Sequence, residues 1–180
     1  MKLEIRDICT EFGADIDSRE RARLLHEAGE TLARNMLAAE CGAAPEEIVI
    51  KKEVLGKPYA ENLPIHFNIS HSGSYAVCVT LASPVGVDIQ AVGKVRSLVL
   101  RRSFSAEERE YVLASPEAQA ERFTRLWCMK EAWTKRLGGS VLSRNGVVCS
   151  FKNGEPITDY GDFSFAFPSA PDGYVIAVCL

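Results

Sequence analysis

Three short blocks of this sequence carry charged or hydrogen-bonding side chains where a plain core would carry apolar ones. They are F-N-I-S-H-S at residues 67–72, G-V-D-I-Q at residues 86–90 and W-C-M-K-E-A-W-T-K at residues 127–135. The last two blocks each contribute a carboxylate, Asp88 and Glu131. Two carboxylates that converge, together with water and phosphate oxygens, form an ordinary octahedral magnesium site. Such a site could order a diphosphate for attack by a nucleophile.

Asp88 interrupts an otherwise apolar strand pattern. Burying an unpaired carboxylate costs several kcal/mol, so we expect a cation beside it. The alternative to a metal ligand is a structural salt bridge to an arginine, and Asp88 taken alone leaves both open.

Glu131 lies in a strongly helical segment between Lys130 and Ala132, and a glutamate beside a lysine is usually part of a solvated face. Glu131 and Lys135, however, are four residues apart and share one helix face, where they could engage an anionic substrate together. Lys130 and Lys135 point about 140° apart, so they could only flank a ligand that lies across the helix.

Two further positions could contact phosphate. His71 follows a predicted strand and could donate a hydrogen bond from the sheet edge, although a lone histidine in a turn is more often structural. Lys57 stands in the tripeptide G-K-P, where Pro58 stiffens the loop and the glycine permits a close backbone approach. On its own this tripeptide is an ordinary surface turn.

The elements that must position these residues follow from apolar periodicity and turn residues. We predict helices at residues 18–41, where Ser18 could be the cap, at residues 105–114 after an S-x-x-E capping box, and at residues 118–137. Strands are predicted at residues 48–55, 65–70, 76–82, 85–89, 147–151, 163–167 and 174–179. The stretches 65–70, 76–82 and 85–89 indicate consecutive strands of one sheet, and the last three strands a second sheet. A helix followed by strands occurs twice, which predicts an α+β protein with halves at residues 1–92 and 93–180.

Composition narrows the function classes. The net charge of −3 argues against nucleic-acid binding. The six cysteines form no C-x-x-C pair, so we expect buried thiols in a reducing cytoplasm, with neither a zinc site nor a disulfide framework. The charged N-terminus and the lack of a long apolar run predict neither a signal peptide nor a membrane span. A monomer is the default for a chain with two halves.

The blocks in this order and spacing resemble the 4′-phosphopantetheinyl transferases, specifically the surfactin-synthetase-activating type. The resemblance rests on five motifs: G-K-P, F-N-I-S-H-S-G, G-V-D-I, F-S-A-E-E and W-x-x-K-E-A-x-x-K, which begin at residues 56, 67, 86, 104 and 127. It implies two similar α+β halves related by a pseudo-twofold axis, with coenzyme A in the cleft between them. It also implies that the 4′-phosphopantetheine arm is moved onto a serine of an apo acyl or peptidyl carrier protein, releasing 3′,5′-ADP.

By this resemblance Asp88 and Glu131 are magnesium ligands, Glu131 helps to remove the proton of the carrier serine, and Lys135 stabilises the charge of the diphosphate. The positions that match coenzyme A contacts in the family, with His71 on the 3′-phosphate, are Lys57, Pro58, Ser70, His71, Arg34 and Lys130.

Gln90 is a departure, because the family usually has a glutamate there as a further metal ligand. An amide oxygen can still coordinate magnesium, so we expect activity with a higher magnesium requirement. Gln90 is also the one feature that favours a rival function, a binding module that retains coenzyme A or a carrier without catalysis. A second rival is an assembly protein that reuses the fold.

The carrier is expected to be acidic and helical, so a basic, partly apolar surface should receive it. Residues 94–102, with four basic side chains, are the candidate. The same run could simply be a solvated loop.

Overall fold

The computed structural model of the chain describes residues 1–13, 15–61, 63–138 and 147–180, which fold as an α+β protein. The helices are α1 (Ile8–Phe12), α2 (Ser18–Cys41), α3 (Ser97–Ser103), α4 (Ala106–Leu113) and α5 (Gln119–Leu137), with one 3₁₀ turn at Pro45–Glu47. The strands are β1 (Lys2–Asp7), β2 (Ile50–Lys52), β3 (Pro58–Ala60), β4 (His66–Ser72), β5 (Tyr75–Leu81), β6 (Gly86–Ala91), β7 (Phe151–Lys152), β8 (Glu155–Pro156), β9 (Phe165–Ala166) and β10 (Tyr174–Cys179). Among the described residues, no helix is both long and apolar enough to span a bilayer.

The three predicted helices are confirmed. Asp17 rather than Ser18 caps α2, because its carboxylate accepts hydrogen bonds from the backbone N–H groups of Arg19 and Glu20. The capping box at α4 forms as predicted, with Ser105 and Glu108 each accepting a backbone N–H of the other. Gly138 ends α5 in the left-handed conformation, and the neighbouring Gly139 lies outside the described residues.

Several predicted elements differ from the structure. Of the predicted strand 48–55 only Ile50–Lys52 forms, as β2, and it pairs with β3 in a short hairpin across the predicted turn, where Gly56 adopts a positive φ. Residues 94–102 are not simply the solvated loop considered as an alternative, because α3 begins within them at Ser97. Only the end of the predicted strand 147–151 is extended, as β7. The cysteines are all unpaired as expected, but Cys41 is exposed and Cys9 only partly buried, so the prediction of buried thiols holds for four of six.

The expectation that β4, β5 and β6 are consecutive strands of one sheet is wrong. One sheet has the order β1-β5-β4, and the other has the order β6-β10-β9, all antiparallel. The apolar pattern of residues 85–89 predicts a strand but not its partner, and β6 pairs along its whole length with β10, from the end of the chain.

The two sheets meet at a seam between β4 and β6, where side chains replace the usual backbone ladder. Asn68, Ser70 and Ser72 accept hydrogen bonds from the backbone N–H groups of the residues nineteen positions later, at 2.9, 3.3 and 3.1 Å. The constant offset means that the two strands run in the same direction. The three acceptors occupy every second position of β4, as side chains on one side of a strand do. They bind backbone N–H groups of β6 that would otherwise have no hydrogen-bond partner.

Three apolar clusters hold the layers together. One lies between α2 and the first sheet and includes Leu25, Leu32 and Leu37. A second surrounds α5 and includes Phe104 and Leu126. The third consists of valines and isoleucines from strands of both sheets, so the sheets share a core across the seam.

Candidate active site at the seam between the sheets

Asp88 lies on β6 at the seam and is almost completely buried. Its Oδ1 accepts hydrogen bonds from Ser70 Oγ at 2.8 Å and from Lys135 Nζ at 2.7 Å, and its Oδ2 accepts from Gln90 Nε2 at 3.1 Å. The prediction that a cation meets this carboxylate is confirmed. The cation is a lysine from α5, whereas the structural alternative considered from the sequence was an arginine.

Gly86 explains how α5 comes so close to β6. A Cβ atom at this position would lie 2.0 Å from the Ala132 carbonyl oxygen and 2.4 Å from the Arg136 backbone nitrogen. Any other residue would therefore push the helix away. The glycine thus allows the helix face that carries Glu131 and Lys135 to pack over Asp88.

Glu131 is partly buried beside this pair. Burial raises its pKa, and the negative charge of Asp88 raises it further, while Lys135 and Arg96 oppose the shift. Within the described ranges its carboxylate makes no hydrogen bond or ion pair, so it is an available acceptor. The structure therefore brings Asp88, Glu131, Lys135 and Gln90 together, from two elements that are distant in sequence.

The donor set fits magnesium. The carboxylates of Asp88 and Glu131 and the side-chain oxygen of Gln90 are hard oxygen donors of the kind that this ion prefers. Burial first, and then the negative charge of Asp88, raise the pKa of Glu131, and a divalent cation would neutralise the charge of this carboxylate pair. Over the described part of the chain no cluster of three or more histidine, cysteine or acidic residues is arranged for a metal.

Ser70 has a structural role that the sequence did not reveal. Its hydroxyl donates to Asp88, accepts from Lys135 at 2.8 Å and accepts from the Ile89 backbone N–H at 3.3 Å, and the residue is 4% exposed. These bonds use its capacity as a donor and its lone pairs. The hydroxyl thus helps to position Asp88 and Lys135, and its assignment to the nucleotide end of coenzyme A stays a prediction.

Lys130 does not lie in this cluster. Its ammonium group pairs with Glu108 Oε1 at 2.7 Å and donates to the Val147 carbonyl at 2.6 Å, and the side chain is 4% exposed. Lys130 and Lys135 lie on different sides of α5, and the ammonium group of Lys130 donates to Glu108 and to the Val147 carbonyl in the interior of the second half. We therefore leave Lys130 out of the proposed ligand-binding residues.

Lys57 and Pro58 are found near Lys135, in a cavity of about 230 Å³ that Asn68 also lines. Lys57 Nζ donates at 2.6 Å to the carbonyl of Arg136, in the last turn of α5, and burial lowers its pKa. This lysine therefore caps the helix that carries Glu131 while facing the cavity.

His71 is exposed on β4, and partial desolvation, Lys135 and His26 lower its pKa, against a smaller opposite effect of Asp88. Arg34 is partly buried and donates to the Ile48 carbonyl, so it ties α2 to the segment before β2. No contact of Arg34 with the seam residues is seen among the described residues.

A second cavity, of about 190 Å³, lies at the other end of the cluster and is lined by Gln90, Arg96 and Trp127 among others. Arg96 stacks over Trp127, with its Cζ 5.1 Å from the ring centroid. The sequence singled out residues 94–102 as basic but gave no sign that Arg96 would turn back toward Glu131. The signal that could have revealed the seam is the alternation of polar residues at 68, 70 and 72.

A family model described as the 4′-phosphopantetheinyl transferase superfamily matches residues 84–179, and one described as 4′-phosphopantetheinyl transferase, N-terminal, matches residues 11–83. The chain therefore belongs to the 4′-phosphopantetheinyl transferase superfamily.

Similar proteins carry the same description. A 4′-phosphopantetheinyl transferase of Bacillus subtilis is 38% identical over 165 residues, covering 84% of this chain and 71% of the relative. The 4′-phosphopantetheinyl transferase psf-1 of Bacillus pumilus is 36% identical over 129 residues, covering 68% of this chain and 55% of the relative. Among solved structures, the Thermotoga maritima holo-[acyl-carrier-protein] synthase matches with a TM-score of 0.40 and 24% identity, over 53% of this chain and 61% of that one. The chain thus spans between about half and seven tenths of the length of these relatives.

Proposed function

We propose that this protein transfers the 4′-phosphopantetheine arm of coenzyme A to a serine of an apo acyl or peptidyl carrier protein, with release of 3′,5′-ADP. The observation that carries the proposal is the cluster at the seam. A buried aspartate held by Lys135 and Ser70 lies beside the available carboxylate of Glu131, with a cavity at either end. Family membership supports the same reaction.

Magnesium would be held by Asp88, Glu131 and the amide oxygen of Gln90. When bound, this ion supplies positive charge to a diphosphate and orients it for displacement. Lys135 contributes a second positive charge at the same place, because its side chain stays 28% exposed while it pairs with Asp88. A diphosphate oxygen could therefore share that ammonium group.

Glu131 is the proposed base for the carrier serine. Its carboxylate makes no hydrogen bond within the described ranges, and desolvation raises its pKa, which strengthens it as a proton acceptor. The positive charges of Lys135 and Arg96 oppose this rise in pKa and favour the ionised carboxylate.

The nucleotide end of coenzyme A is assigned to the cavity beside Lys57 and Pro58, with His71 at the 3′-phosphate. Arg34 is retained as a more distant contact at this end. The carrier is assigned to residues 94–102, where the exposed Lys94, Arg96, Arg101 and Arg102 offer positive charge and Leu98 an exposed apolar contact.

We further propose a monomer that acts in the cytoplasm, with two halves that divide near residue 85 instead of near the residue 92 expected from the sequence. Because β6 pairs with β10, the strand Gly86–Ala91 would belong structurally to the second half. The core shared across the seam supports two halves that fold as one unit.

The test incubates the protein with coenzyme A, magnesium and an apo carrier, and weighs the carrier for the mass of one phosphopantetheine arm. We expect the mass increase with the wild-type chain and a fall in rate of about 10²-fold or more with Asp88→Asn. Asp162→Asn, an exposed aspartate far from the seam in sequence, is the matched control and should leave the rate unchanged. Binding of coenzyme A with no gain of carrier mass would contradict transfer and favour the binding module that Gln90 suggests.

A further inference from the structure

A groove of about 410 Å³ lies between α5, the start of β10 and the loop that precedes β10. None of the residues assigned to the proposed transfer reaction lines it. Phe167, Pro168, Pro171 and Tyr174 are partly exposed and give the groove apolar surface, and polar groups line it to a similar extent, among them Arg125 of α5. The volume is within the range of small-molecule sites.

Arg125 is held in the groove but is not satisfied there. Its guanidinium stacks on Phe167, with Cζ 4.4 Å from the ring centroid. Its Nε is buried and, in the part of the chain that the structure describes, has no hydrogen-bond partner. A buried N–H without an acceptor is costly and rare in folded proteins, so this atom points to a missing acceptor.

The neighbouring Arg122 shows what a satisfied arginine looks like on the same helix. Its guanidinium stacks on Tyr111, with Cζ 4.6 Å from the ring centroid, and also donates at 2.9 Å to the Tyr111 carbonyl. Arg125 has the aromatic contact without the acceptor. Glu121 is four residues before Arg125, yet the two form no ion pair in the described structure, although this spacing commonly allows one.

The charges at the rim define which acceptor would fit. Glu121 and Asp172 both line the groove and are exposed. Two negative charges at the rim would repel a dianion such as phosphate more strongly than a monoanion. A carboxylate matches the planar fork of a guanidinium, and the ring of Phe167 with the two prolines would cover an apolar body attached to it.

We propose that this groove is a binding site for a small monocarboxylate with an apolar body, whose carboxylate accepts hydrogen bonds from Arg125. The site is separate from the seam and does not depend on the proposed transfer reaction. Phenylacetate is a suitable probe, because it combines one carboxylate with a ring that can lie against Phe167 and the two prolines.

The experiment is an NMR titration of the isotope-labelled full chain with phenylacetate, in the absence of coenzyme A and carrier. We expect the Arg125 Nε–H signal and the backbone amide signals of residues 173–176 to shift in a saturable way. Phenylacetamide, which has the same shape without the charge, and inorganic phosphate should bind at least about tenfold more weakly. Equal binding of the amide, stronger binding of phosphate, or no shift at these signals at millimolar phenylacetate would overturn the proposal.

Arg125→Gln should weaken phenylacetate binding by about tenfold or more, whereas Arg122→Gln, the matched control on the same helix, should leave it unchanged. Equal weakening by both variants would mean that the effect comes from general damage to α5 and would count against a site at Arg125. If Arg125→Gln does not fold, the comparison of phenylacetate with phenylacetamide on the wild-type chain decides the question.

Discussion

Two lysine–carboxylate pairs lie on α5, and they differ in what surrounds them. Lys130 pairs with Glu108 at 2.7 Å, with side chains 4% and 0% exposed, and Lys135 pairs with Asp88 at the same distance, with side chains 28% and 2% exposed. Glu108 also accepts the backbone N–H groups of Cys149 and Ser105, at 2.7 and 2.6 Å. The pair of Lys130 and Glu108 is therefore buried from solvent, whereas Lys135 remains accessible from the cleft.

The difference in burial suggests different roles for the two pairs, a structural one for Lys130 with Glu108 and a ligand-binding one for Lys135 with Asp88. A buried ion pair whose oxygens are all satisfied by backbone groups links elements, here α4, α5 and the segment before β7. In a pair that keeps one partner accessible, that charged group can also bind a ligand of opposite charge. The sequence motif presents both lysines alike, and only their surroundings distinguish them.

The largest expected effect tests this division directly. Lys130→Met leaves the buried Glu108 without its cation and should lower the free energy of unfolding by about 3–5 kcal/mol. Lys135→Met should cost at least about 1 kcal/mol less, because water can reach the vacated space, but should reduce the transfer rate by about 10²-fold. Urea unfolding and the carrier mass assay measure the two effects. Equal losses of unfolding free energy in the two variants would contradict the conclusion that Lys130 matters more for stability than Lys135.

The next effect concerns Ser70, whose hydroxyl is hydrogen-bonded to Asp88, to Lys135 and to the backbone of β6 at the seam. Ser70→Ala orphans the Ile89 N–H and removes a donor to Asp88, so we expect a loss of about 1–3 kcal/mol in unfolding free energy and a rate reduced about tenfold. Ser72→Ala, at the exposed end of the same seam, is the matched control and should cost less than about 1 kcal/mol. Ser70→Ala that weakens coenzyme A binding alone, with stability and turnover intact, would show that this hydroxyl serves the nucleotide after all.

A smaller effect concerns the metal. Gln90→Glu restores a third acidic oxygen donor beside Asp88, so the magnesium concentration for half-maximal rate should fall several-fold, up to about tenfold. The measurement is a magnesium titration of the transfer rate at saturating coenzyme A. An unchanged half-maximal concentration would show that residue 90 does not contact the ion.

The smallest effect is a pH dependence at His71. Desolvation, Lys135 and His26 lower its pKa below the ordinary value of 6.5, against the opposing charge of Asp88, so the free imidazole is neutral at pH 7. A bound phosphate favours the protonated form and raises this pKa, so binding takes up a proton. The KM for coenzyme A should therefore fall as the pH is lowered from 7.5 toward the lowered pKa, by at most about tenfold per pH unit.

His71→Gln should remove this pH dependence, and so should replacing coenzyme A with 3′-dephospho-coenzyme A in the wild-type chain. A slope that survives in His71→Gln would assign the proton to another group.

The helices were predictable because their signals are local. The apolar spacing of α2 and α5, the S-x-x-E box of α4 and the glycine after Leu137 act within a few residues. The strand β6 was also predictable as a strand, but its partner was not, because a valine-rich run fits either sheet equally well. Pairing with β10 depends on a contact across about ninety residues of chain.

The sequence by itself determined the helices, the presence of a buried carboxylate that needs a cation, and the family through the order of its motifs. Only the tertiary structure decided that Lys135 is that cation, that Lys130 belongs to the interior, and that the hydroxyl of Ser70 is hydrogen-bonded to Asp88. The physical reason is that helical periodicity and capping arise from neighbours in the chain. The burial of Lys130 and the partial exposure of Lys135 depend instead on elements that are distant in sequence and come together only in the folded protein.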